Sequence, residues 1–159
     1  MVADMNPSPD SASMPDGRRG LPLSHPVPGT DCVGMNLAVR PTAINIAIGF
    51  CRYTLHRWRW ADALTDAERI VHDLTSAFVA AVADSEPNCP THMAVWLRRP
   101  SEHSVVVEVR DSPGNADVIA RSGNLISATV EQLSTHCGQH CSAGRTVLWA
   151  ELTRPARRI

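Results

Sequence analysis

Between residues 42 and 82 apolar side chains recur at the spacing of a helix, and from residue 93 they alternate at the spacing of a strand. Ile44, Ile48, Cys51, Leu55 and Trp58 follow at intervals of four, three, four and three, which predicts an amphipathic helix over about 42–58. Pro41 suits the first turn, where a missing N–H leaves no bond unmade. A second helix is predicted to start after Leu64, with Thr65 as its cap and Glu68 in the capping-box position. Ala67, Ile70, Val71, Leu74, Ala77, Phe78, Ala81 and Val82 form its buried face, and the turn-rich Asp84-Ser85-Glu86-Pro87 ends it. Met93, Val95 and Leu97 then alternate with Ala94, Trp96 and Arg98. Val105, Val107 and Val109 alternate with Val106, Glu108 and Arg110. The short Pro100-Ser101-Glu102 connection makes these two runs an antiparallel hairpin. Ile126, Thr129, Val130 and Leu133 predict a further helix within 125–136, and Thr146–Leu152 reads as a final strand introduced by Ser142-Ala143-Gly144. Upstream, the run MNLAV after Gly34 is strand-like. Helices grouped before and between hairpin strands predict a two-layer α/β sandwich, with helices on one face of a mixed or largely antiparallel sheet.

The pattern also divides the chain. Residues 1–33 carry prolines at 7, 9, 15, 22, 26 and 28 among Ser, Gly and Asp, and are expected to form a flexible arm. Leu21, Leu23 and Val27 would let part of it dock on the folded region. Residues 34–153 form the expected domain, and 154–159 a short basic tail. The total of 159 residues suits one core and is short for two. A net charge of -1 gives no generic nucleic-acid footprint. No apolar run is long enough to cross a bilayer, and MVADMNPSPDSASMPDG lacks the basic and apolar regions of a secretory signal, so a cytoplasmic location is expected. Five cysteines, an odd number, are read as reduced thiols.

In order along the chain, LAVRPTAINIAIGFCRYTLHRW, LTDAERIVHDLTSAFVAAV, VVVEVRDSPGN and GRTVLWAEL resemble the GHKL-type ATP-binding domains of anti-sigma-factor serine kinases, from about Leu37 to Leu152. The resemblance implies a Mg-ATP site built by a helix, the strand leading to an Asp-containing loop, and a Gly-rich lid. In the family the helix motif reads E-L-x-x-N-A. Here it is Asp73-Leu74-Thr75-Ser76-Ala77-Phe78, with Ala81 where a His is usual. Asp73 can stand in for the family's Glu, but Ala77 replaces the Asn whose carboxamide ligates magnesium, and a methyl group cannot ligate a cation. Asp111 matches the residue that reads adenine, followed by Pro113 and Gly114; Asp-Ser-Pro-Gly is equally a good turn after a strand. The lid counterpart, Arg121-Ser122-Gly123-Asn124-Leu125, keeps one glycine of a motif whose glycines bring backbone N–H groups close to phosphates. Gly144-Arg145-Thr146 resembles the approach to the family's last strand.

These departures favour a divergent regulatory protein-binding module with impaired or lost use of ATP and magnesium. Its expected partner is a sigma factor or an anti-sigma antagonist, with a homodimer also open. The alternative is an active ATP-dependent serine/threonine kinase, with Asp73 near the γ-phosphate and Asp111 on adenine. Arg57, Trp58, Arg59 and Trp60 are the candidate partner-binding residues, since Arg and Trp anchor many interfaces. The same segment, with Arg40 and Arg52, could suggest nucleic acid, but Asp62, Asp66 and Glu68 balance it. His136, Cys137, His140 and Cys141 carry zinc-type ligand atoms. Read on a helix, adjacent members diverge, and the simpler reading is buried thiols and exposed histidines. The P-loop and G-x-G-x-x-G patterns are absent, and no Ser-His-Asp or Cys-His arrangement can be assigned.

Overall fold

The computed structural model describes residues 31–84, 91–112, 119 and 121–155. The expected arm over 1–30, Gly114, Cys89 and residues 156–159 of the tail lie outside the described residues. Five strands, β1 (Asp31–Ala38), β2 (His92–Ser101), β3 (Ser104–Asp111), β4 (His136–Ser142) and β5 (Arg145–Thr153), form one sheet in the order β1-β2-β3-β5-β4. Every neighbouring pair is antiparallel. Helices α1 (Pro41–Arg57), α2 (Leu64–Asp84) and α3 (Ala128–Leu133) lie on one face, giving the expected α/β sandwich.

α1 keeps Pro41 in its first turn and buries Ala43, Ala47, Cys51, Thr54 and Leu55. α2 differs at its start. A short 3-10 turn, Ala61–Ala63, runs straight into Leu64, so Thr65 is inside the helix and does not cap it. Glu68 turns outward from the supposed capping box and bonds Arg52 of α1 at 2.6 Å. β1 begins at Asp31, three residues before Gly34, because the whole segment pairs with Arg99 back to His92.

The helix-facing residues of the sheet are the alternating set read from sequence: Met93, Val95, Leu97, Val105, Val107, Val109, Leu148, Ala150 and Leu152 are all buried. They pack under Leu55, Ile70, Leu74 and Phe78, each fully buried and contributing about 1.5–3 kcal/mol of transfer free energy. α1 sits on β1 and β2, α2 on β3 and β5, and α3 on α2 and β4.

On the opposite face one row of the register reads Gly34, Trp96, Glu108, Trp149 and Gly138 from β1 to β4. Each indole lies over the neighbouring glycine. A Cβ on Gly34 would stand 2.6 Å from Trp96, and one on Gly138 3.0 Å from Trp149, so glycine makes the close approach. Glu108, 1% exposed, bonds the guanidiniums of Arg98 and Arg110, and burial lowers the pKa of both arginines.

The fourth strand was not in the sequence pattern. His136–Ser142 pairs with β5 as an edge strand, and the helix expected over 125–136 shortens to Ala128–Leu133. Ser142 to Arg145 close the β4–β5 hairpin, with Ala143 at φ 51 and Gly144 at φ 74, the two left-handed residues of a tight hairpin turn.

Candidate functional site

The residues named from sequence fall into two places on the helix-covered side. Asp111 ends β3 and faces Thr146 at the start of β5, with Met93 across from it on β2 and Cys141 beyond Thr146 on β4. Its Oδ1 accepts the Thr146 backbone N–H at 2.8 Å. Its Oδ2 is buried and has no hydrogen-bond partner among the described residues. Burial pushes the Asp111 carboxyl up to about 6, against the opposing Thr146 N–H bond and the Arg145 charge. A buried acceptor without a donor is uncommon and invites either a proton or a donor from outside.

Asp73 lies on α2, and both its oxygens are engaged. Oδ1 meets His72 Nδ1 at 3.0 Å and Arg69 Nε at 3.3 Å; Oδ2 accepts the Ser127 hydroxyl at 3.0 Å. Ser127 is the N-cap of α3 and accepts the Val130 N–H at 3.1 Å. Asp73 therefore ties α2 to the start of α3. Ala77, one turn further along α2, offers no oxygen ligand to a magnesium ion.

The lid counterpart is likewise held by its own chain. Gly123, at φ 73, turns the backbone, and its carbonyl accepts Gln139 Nε2 at 2.9 Å. Gln139 Oε1 accepts the Leu125 N–H at 2.9 Å, and Asn124 Oδ1 the Ile126 N–H at 3.0 Å. With Val130 bonded to Ser127, the N–H groups of Leu125, Ile126 and Val130 already have acceptors. Beside this loop an open recess of ≈ 380 Å³ is lined by Gly123, Asn124, Ile126, Glu131, Cys137, Gly138 and Gln139.

The surface expected around the end of α1 is altered at Trp60. Trp60 is fully buried under the Arg154 guanidinium, 4.0 Å from the ring centroid, and belongs to the core. Trp58 packs partly buried against the core with Arg99 over its ring at 5.6 Å. Arg59, at φ 59, turns the chain, and its carbonyl accepts Arg154 Nη1 at 3.2 Å. Arg57, 5.8 Å over the ring of Tyr53, and Arg59 are exposed, and Trp58 is half-buried.

The His/Cys cluster is corrected too. It lies on a strand, which sends Cys137 and Cys141 to the helix side and His136 and His140 to the other. Cys137 is half-buried and Cys141 exposed, so neither is a buried thiol. Burial, with the Arg110 charge, lowers the His140 pKa. Among the described residues no group of three or more His, Cys, Asp or Glu could hold a metal ion. The described cysteines are all free, and burial pushes the Cys51 thiol up to about 12. No helix of the described residues is long and apolar enough to cross a membrane.

The sequence pointed to Asp73, Asp111 and Gly123 and to Thr146 only as the start of a strand, and not to Ser127 and Gln139, which hold Asp73 and Gly123. Only the Asn124/Ser127 spacing ahead of an apolar run gave a signal, that of a helix start.

This sheet and helix layer define an α/β sandwich. No family model and no curated protein matches the sequence. Among solved structures the chain is similar to the crystal structure of the RsbU and RsbW domains of Rv1364c from Mycobacterium tuberculosis, at a TM-score of 0.50 and 19% identity over 81% of this chain. The match spans 34% of that chain, about a third of its length. The likeness is one of fold.

Proposed function

We propose that this chain is a regulatory protein-binding module of the anti-sigma-factor kind in which use of ATP and magnesium is impaired or lost. The fold likeness supports the class, RsbW being an anti-sigma-factor kinase of the GHKL type. One observation carries the loss of nucleotide use: Leu125, Ile126 and Val130 give their N–H groups to Gln139, Asn124 and Ser127. Phosphoryl transfer depends on donors and cations positioned around the phosphates. Here the lid amides, Asp73 and the Ala77 position supply none.

The partner class is a sigma factor or an anti-sigma antagonist. Complex formation should be measured with purified candidates from the same genome, with and without ATP and magnesium. Equal affinity in both conditions is expected; binding that appears only with nucleotide would reject the reading.

A second reading is favoured by one feature, the unpartnered Oδ2 of Asp111. An exocyclic amino group would satisfy it, and an ATP-dependent serine/threonine kinase would place adenine there. That reading also needs Asp73 near the γ-phosphate, which requires it to release Ser127. Phosphate transfer from ATP to a serine of the antagonist would establish it.

A further inference from the structure

The two central strands are buried on both sides. On β3 and β5 the residues that point away from the helices, Val106, Glu108, Val147 and Trp149, are each 8% exposed or less. A sheet with one solvated face alternates apolar and polar positions. Val105-Val106-Val107 and Leu148-Trp149-Ala150 do not, and they read as strands with cover on either face. The described helices all lie on the other face. Trp149 makes the point most sharply. Its ring lies over Gly138 on the sheet, so one side of the indole is already taken; at 5% exposure the other side is covered as well. Trp96 has the Arg110 guanidinium 5.4 Å from its ring centroid and is still only half-buried. Trp149 has no such cation among the described residues.

The segments outside the described residues differ in reach and charge. Residues 85–90 and 113–118 are held at both ends, the first between α2 and β2, the second between β3 and Ile119 of the core. Arg157 and Arg158 would add charge to a face where Arg98 and Arg110 already share the one carboxylate of Glu108. Residues 20–30, GLPLSHPVPGT, contain no Asp, Glu, Lys or Arg, so laying them on Trp149 and Val147 buries no ion. Pro22, Pro26 and Pro28 all fall at even positions, which strips N–H donors from one edge and disfavours a ladder strand. The same prolines favour polyproline II, a conformation that docks on aromatic-lined surfaces.

We infer that the second face of the sheet is a docking surface for the chain's own residues 21–28, which cross it as an extended Pro-rich strap with Val27 on Trp96 and Leu23 on Trp149. The dimensions agree. Gly34 lies three residues into β1 from Asp31, about 10 Å along the strand. Pro28 lies three residues before Asp31, so a chain that doubles back at Gly29 brings Pro28 level with Gly34 and Trp96. Strands spaced about 4.8 Å apart put Trp96 one step from β1 and Trp149 three steps, about 14 Å. Polyproline II rises about 3.1 Å per residue, so the run from Pro28 to Leu23 spans about 15 Å. Glu108, between the two indoles in the same row, then lies beneath the strap, and its pair with Arg98 is kept from water.

Nuclear Overhauser spectra of the full chain test this independently of the proposed function, since no nucleotide or regulatory partner enters. Cross-peaks from the Leu23 methyls to the Trp149 ring and from the Val27 methyls to the Trp96 ring are expected within a single chain. Joint replacement Leu21→Ser, Leu23→Ser and Val27→Ser should shift the indole signals of Trp96 and Trp149 and leave those of Trp58 and Trp60 in place. A synthetic peptide of residues 18–30 should bind that triple variant at least about tenfold more tightly than the wild-type chain, whose own segment competes at high effective concentration. Methyls of Leu23 and Val27 that touch neither ring overturn the inference. So do cross-peaks that arise only between differently labelled chains in a mixed sample, or equal peptide affinity for the two proteins. If the triple variant loses its fold, the cross-peaks of the wild-type chain alone decide it.

Discussion

Replacing Asp111 by Asn should stabilise the protein at neutral pH. The carboxyl is 2% exposed, its pKa rises from 3.8 to about 6 through burial, and one oxygen has no donor among the described residues. The sign follows from proton counting. Between about pH 4 and 6 the folded state holds a proton that the unfolded chain has released, so stability falls as pH rises through that window, and the whole penalty is present above it. A gap of about two pH units corresponds to about 3 kcal/mol at 1.36 kcal/mol per unit. Solvent screening at the open end of the strand reduces this to about 1–2 kcal/mol. Asn keeps an oxygen for the Thr146 N–H and carries no charge to desolvate. Urea midpoints of both proteins should be measured from pH 4 to pH 7. The two should agree near pH 4, and the variant should lead by about 1–2 kcal/mol at pH 7. A difference that does not change with pH, or a wild-type protein more stable at pH 7, would refute the reasoning.

Two further substitutions probe the groups around the site. Glu108→Ala removes the carboxylate shared by Arg98 and Arg110 and should cost about 3–5 kcal/mol in urea unfolding, whereas joint replacement of Arg98 and Glu108 by Met and Leu should be far milder. Gln139→Ala removes two hydrogen bonds to the 123–125 loop, so about 1–2 kcal/mol of stability should be lost and amide exchange at Leu125 should quicken.

How far the molecule could be read from its sequence depended on whether an element's reason lies within itself. α1, α2 and the β2–β3 hairpin announce themselves by period, because their buried faces are continuous runs of apolar residues. β4 does not. His-Cys-Gly-Gln-His-Cys contains no Val, Ile, Thr, Phe, Tyr or Trp, and it is a strand because β5 pairs with it. Trp60 was expected on the surface beside Trp58. Its burial is set by Arg154, a residue from the far end of the chain. Thr65 has the spacing of a cap, but the turn at Ala61–Ala63 carries the helix past it. At the candidate site Asp73 and Asp111 were legible through the family resemblance. Ser127 and Gln139 were not, since an ordinary serine and glutamine gain meaning only from partners 54 and 16 residues away.

The central proposal is that the use of ATP and magnesium is impaired or lost. Isothermal titration calorimetry of the full wild-type chain with ATP, in the presence and absence of magnesium, tests it most directly. The account predicts no magnesium-dependent heat, because Gln139, Asn124 and Ser127 hold the lid amides and Ala77 offers no ligand. Micromolar binding that requires magnesium and disappears in Asp111→Asn would contradict it.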